Sequence, residues 1–97
     1  MLHIINQLPV SASFFDKTQT GDTVIFTDDA IFAVKQNNID IEHFTKRTFN
    51  HINLCVRKAD LIIKNISKRD LLRDVTIIDE AQFKNAMHDN FAVKSYN

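Results

Sequence analysis

The sequence is most informative first in what it has little of. It holds one cysteine, Cys55, one glycine, Gly21, one proline, Pro9, and no tryptophan. A single cysteine excludes a disulfide within the chain, and a reducing compartment is the natural expectation. With one glycine, no phosphate-cradling loop of the GxGxxG or GxxxxGK type can be built, which removes the usual nucleotide-binding routes. Twelve basic residues balance twelve acidic ones, so the basic excess of a dedicated nucleic-acid binder is missing. No run approaches the roughly 18 apolar residues that cross a membrane. The start of the chain does not read as a signal peptide. These features together predict a cytoplasmic protein with no membrane partner.

What remains is an ordinary globular composition, 44% hydrophobic and 25% charged over 97 residues. That length predicts a single domain spanning residues 1–97. A domain so small buries only about two-thirds of the surface its unfolded chain exposes. Its marginal core and zero net charge both favour association, and a homodimer is expected when the chain is alone.

Along the chain, β-branched apolar runs alternate with amphipathic stretches. Leu2 to Asn6 predicts a first strand, and Ser11 caps a helix to about Thr20 that stops at Gly21. Thr23-Val24-Ile25-Phe26-Thr27 reads as a strand covered on both faces. Asp28 or Asp29 is expected to cap a helix over Ala30–Gln36, anchored by Ile31, Phe32 and Val34. A short helix is placed within 37–50 on the spacing of Ile41, Phe44 and Thr48. His51–Val56 is a third strand. A helix over Ala59–Ile66 follows, with Leu61 and Ile62 turned inward. Val75–Ile78 is a fourth strand. Asp79 caps a helix over Glu80–His88, with Phe83 and Met87 on one face. The tail from Phe91 to Asn97 offers a short edge strand. This alternation predicts an α/β fold: one small domain with a mostly parallel four- to five-stranded sheet and helices on both faces.

Chemistry in such sheets gathers beyond the C-terminal strand ends, which directs attention to Asp28, Asp29, the stretch from Cys55 to Lys58, and Asp79. Cys55 is the only soft nucleophile and the candidate catalytic residue. If it faced the start of the following helix, its pKa would fall, and Arg57 and Lys58 could stabilise an anion on it. The plain alternative is a small buried core residue. The aspartates are explained by helix capping. His3, His43, His51 and His88 show no HxxxH spacing and no accompanying cysteines, so neither a metal nor a cofactor is expected. The basic residues Arg57, Lys58, Lys64, Lys68, Arg69 and Arg73 could meet phosphates, but Asp60 and Asp70 interrupt them and a solvated helix face is the simpler account. No catalytic constellation is self-evident.

Four stretches resemble the DsrH/TusB family, in collinear order over nearly the whole chain: Met1-Leu2-His3-Ile4; Thr20-Gly21-Asp22 through Phe32-Ala33-Val34; Ile52-Asn53-Leu54-Cys55-Val56-Arg57-Lys58-Ala59-Asp60-Leu61; and Ile77-Ile78-Asp79-Glu80-Ala81-Gln82-Phe83. The departures are Leu8-Pro9 where the family has Ser-Pro, Ala30 for a glycine, Glu80 for a tyrosine, and Tyr96 for a terminal tryptophan. The resemblance implies a DsrE/F/H-like fold and a non-catalytic subunit of a TusBCD-like sulfur-relay complex. It implies TusC-like and TusD-like sister subunits in a dimer of heterotrimers. The relay would pass persulfide sulfur toward 2-thiolation of the tRNA wobble uridine, or serve DsrEFH-like sulfur transfer. The sulfur-carrying cysteine of such complexes belongs to a sister subunit, in an Asn-x-Cys-Val context that Asn53-Leu54-Cys55-Val56 resembles. Two alternatives stand beside this reading: Cys55 itself as persulfide carrier, and a stand-alone small α/β interaction module. Direct tight tRNA binding is not expected, nor is enzymatic activity by the chain alone, which would be part of a sulfurtransferase relay.

Overall fold

The computed structural model describes residues 2–6, 18–35, 52–71, 75–89 and 93–96. Five strands form one sheet: β1 (Leu2–Ile5), β2 (Thr23–Phe26), β3 (Asn53–Arg57), β4 (Thr76–Ile78) and β5 (Val93–Tyr96). They lie in the order β4-β3-β2-β1-β5, and every pairing is parallel. The first three strands are rich in Val, Ile and Leu, as residues buried from both sides of a parallel sheet must be. Between them stand a 3₁₀ helix (Asp28–Val34), helix α1 (Lys58–Ile63), a short 3₁₀ turn (Lys68–Asp70) and helix α2 (Glu80–Asp89).

The period-two alternation of each strand sends side chains to opposite faces. Val24, Phe26, Leu54 and Val56 point to one face and pack with Ala30, Ile31, Val34, Leu61 and Ile66, from the 3₁₀ helix and the α1 region. Leu2, Ile25, Cys55 and Ile78 point to the other face, where Phe83 and Ala86 of α2 pack against them. The expected helices on both faces and the parallel sheet are therefore present, with the tail forming edge strand β5 beside β1.

Local chemistry sets the element boundaries. Gly21 occupies the third position of a turn closed by Asp22 N donating to Gln19 O at 3.0 Å, and its φ of 93° suits glycine. α1 ends in a Schellman closure: Asn65 N donates to Ile62 O and Ile66 N to Leu61 O, with Asn65 in the left-handed region at φ 56°. The closure brings Ile66 back into the core beside Leu61. α2 begins in a capping box, in which Gln82 N donates to Asp79 Oδ1 and Asp79 N donates to Gln82 Oε1.

Several expectations are corrected. The helix after β2 is 3₁₀, its N-cap is Thr27, and neither Asp28 nor Asp29 caps it. Asp28 instead takes a φ of 50°, turning the chain out of the strand. In α1 the inward pair is Asp60 and Leu61, while Ile62 is 70% exposed. Met87 does not join Phe83 against the sheet and is exposed. The helices expected over 11–20 and within 37–50 fall largely outside the described residues; Thr18 to Thr20 lead into the turn before β2.

Candidate functional site

The C-terminal rim of the sheet is built from the residues that leave each strand. Thr27 ties β2 to β1, its amide and its hydroxyl both donating to Ile5 O at 2.8 and 3.2 Å. Beside it, at the end of β1, the Oδ1 of Asn6 is buried with no hydrogen-bond partner among the described residues. Past Thr27 the exposed Asp28 and Asp29 follow. Asp29 is engaged by Lys64 at 2.6 Å, a contact that raises the Lys64 pKa. Asp79 is occupied by its capping box.

Arg57 is the centre of this rim. Its Nε and Nη2 donate to the two carboxylate oxygens of Asp60 at 2.7 and 3.0 Å, a bidentate pair. Asp60 is 3% exposed, so the guanidinium is what makes a carboxylate tolerable there. The hydrogen bond to Asp60 raises the Arg57 pKa, against the opposing effect of burial. The same guanidinium lies 5.0 Å from the centroid of the Phe83 ring. Arg57 thus joins α1 on one face to α2 on the other.

Cys55 is the third of the five residues of β3, not its last, because the strand continues through Arg57. Its register partners are Ile25 and Thr76. It is 8% exposed, and burial pushes its thiol pKa up. The thiol faces the α2 side, whereas α1 packs on the opposite face, so the start of α1 does not activate it. Arg57 shares the Cys55 face by strand alternation but is held by Asp60. In this arrangement the thiol is neutral and enclosed, the condition of an inert cysteine.

The other candidates disperse. Of the basic residues, Arg57 and Lys64 are paired with carboxylates, Lys58, Lys68 and Arg69 are exposed, and Arg73 lies outside the described residues. Among the described residues no group of three or more His, Cys, Asp or Glu is placed to hold a metal ion. Among them, too, no helix is long and apolar enough to cross a membrane.

At the opposite end of the sheet the structure pairs two residues that spacing alone did not connect. His3, wholly buried in β1, donates from Nε2 to Asp22 Oδ2 at 2.9 Å. Burial pushes the Asp22 pKa up, but the hydrogen bonds it accepts, among them those from His3 and the Gln19 amide, outweigh this and lower it to about 2. The available signal was a histidine inside an apolar strand, which demands a buried polar partner.

Comparison with known proteins agrees with this architecture. The family model described as DsrH like protein matches residues 8–90. Curated proteins give no match. Among solved structures, a protein of unknown function from Methanobacterium thermoautotrophicum, MTH1491, is similar with a TM-score of 0.82 at 11% identity, covering 98% of this chain and 96% of that one. The YchN protein of E. coli is similar with a TM-score of 0.77 at 16% identity, covering 98% of this chain and 97% of that one. At these identities the structural likeness concerns the fold, whereas the family match spans most of the sequence. The chain therefore belongs to the DsrH-like family, which ties it to sulfur-relay function.

Proposed function

We propose that this chain is the non-catalytic subunit of a TusBCD-like sulfur-relay complex in the cytoplasm, working with TusC-like and TusD-like sister subunits. The observation that carries this reading is the state of its only thiol. A carrier must present a thiolate to a sulfur donor and then to an acceptor. Cys55 is buried and its pKa is raised. A chain of a sulfur-relay family with such a thiol supports a partner's reactive cysteine better than it replaces one. The relay's end point is 2-thiolation of the tRNA wobble uridine, or DsrEFH-like sulfur transfer.

The charge arrangement supports an indirect relation to tRNA. Arg57 and Lys64 are engaged by Asp60 and Asp29, which sets two of the six basic residues against carboxylates, and the net charge of zero leaves little drive for counterion release from phosphate. Exposed Ile62, Ile63 and Met87 are apolar surface that subunit contacts would cover. A homodimer is the expected substitute when the chain is alone.

Co-expression with the two sister subunits tests the proposal. The expected result is elution of all three in one peak on size exclusion. Three folded proteins that elute apart would remove it. The carrier reading of Cys55 draws on one specific feature, the Asn53-Leu54-Cys55-Val56 stretch with Arg57 on the thiol's own face of the sheet. Incubation with a cysteine desulfurase and cysteine separates the two: sulfur added to this chain alone, and lost in Cys55→Ser, would favour the carrier.

A further inference from the structure

The two faces of the sheet are covered by elements of very different attachment. None of the α2 residues from Glu80 to His88 is buried. Among the described residues, its hold on the sheet is half-buried Phe83 and Ala86, with the Arg57 guanidinium set against the Phe83 ring. The capping box that starts the helix lies between Asp79 and Gln82 and makes no bond to the sheet. By contrast, the 3₁₀ helix and α1 on the other face are fixed by fully buried Ala30, Ile31 and Val34, and by Leu61. On the α2 side of the sheet, buried Leu2, Ile25, Cys55 and Ile78 and half-buried Ile4 form an apolar cluster, bordered by Arg57 and Thr76.

We infer that α2 is a detachable cover, which lifts from the sheet as a unit while the rest of the domain stays folded. Its opening is what controls access to the apolar cluster and to Cys55. Segments held by few buried apolar contacts open at free energies below that of global unfolding. The inference concerns the helix and is independent of whether the protein acts in sulfur relay; Cys55 serves as a reporter beneath it. The neighbouring elements leave the sheet intact on opening, because β3 is paired on both sides by β2 and β4, and β1 by β2 and β5.

The test is native-state hydrogen exchange on the wild-type chain across sub-denaturing urea, combined with the rate of Cys55 labelling by a small thiol reagent. The expected result is that α2 amides exchange, and Cys55 labels, through an opening with little urea dependence, at least about tenfold more often than the amides of β1 to β3. Phe83→Ala, which removes the main anchor, is expected to raise the labelling rate by a further factor of about ten while the β1–β3 amides change in step only with global stability. If Phe83→Ala fails to fold, Phe83→Leu gives a smaller increase of the same sign. The inference is overturned if α2 exchange and Cys55 labelling in the wild type carry the full urea dependence of global unfolding and match the β1–β3 amides in rate.

Discussion

The two faces of the same sheet divide the work of this domain. On one, Val24, Phe26, Leu54 and Val56 meet an apolar layer from the 3₁₀ helix and the α1 region, and fourteen of the described residues form a single buried cluster. On the other, four buried residues among those described meet α2 through two half-buried side chains. Because apolar burial stabilises by about 25 cal/mol per Å², the first face carries most of the described core, and the second is where the inferred opening of α2 would take place. The only thiol sits on the second face. Its placement under α2 is in keeping with the proposed role of assembling a relay rather than reacting in it. Arg57 spans the two, reaching Asp60 at the start of α1 and Phe83 in α2.

If this division is right, substitutions should rank by face. Phe26→Ala empties a wholly buried site in the first cluster, and a loss of about 3–5 kcal/mol is expected in urea denaturation. Arg57→Ala strands the Asp60 carboxylate in the core and should cost about 3 kcal/mol, toward the lower end for a broken buried pair because a quarter of the Arg57 side chain is in water. A double-mutant cycle with Asp60→Ala should recover part of that loss. Asn65→Ala forces an alanine into the left-handed region that closes α1, at about 1 kcal/mol. The same position changed to glycine should be neutral or slightly stabilising.

Acid tests the far end of the sheet. The Asp22 carboxylate has a folded pKa of about 2 against an ordinary 3.8. A depressed folded value means that its contribution is complete above about pH 4 and is lost as pH falls toward 2. Asp22→Asn should flatten the stability profile in that window, as read by urea midpoints at successive pH values. The smallest effect is expected at the exposed apolar positions. Ile62→Lys and Met87→Lys should change the stability of the isolated chain by no more than about 0.5 kcal/mol, and a larger loss from Met87→Lys would show that α2 is more firmly seated than its contacts indicate.

The fold was legible where one physical signal dominated. β1, β2 and β4 are runs of β-branched and apolar residues, and Asp79 before Glu80 with Gln82 three residues on is a capping box in plain sight. Legibility failed where tertiary partners override local pattern. Leu61, Ile62 and Ile63 are consecutive, so no periodicity tells which turns inward; the answer depends on Asp60 being drawn into the core by Arg57, a pairing set by three dimensions. Asp28 looked like a cap because aspartate before a helix usually is one. In the structure it takes the left-handed bend that aspartate also tolerates. Cys55 was identifiable as the one thiol in an apolar run, and its burial was foreseeable from Leu54 and Val56. Which face it occupies required the position of α2.

Whether the chain assembles a relay without carrying sulfur, as proposed, is tested most directly by intact-mass analysis of the three-subunit complex after incubation with a cysteine desulfurase and cysteine. Added sulfur mass is expected on a sister subunit and none on this chain, with Cys55→Ser leaving transfer unchanged. Sulfur mass on this chain that disappears in Cys55→Ser, together with loss of transfer, would contradict the proposal.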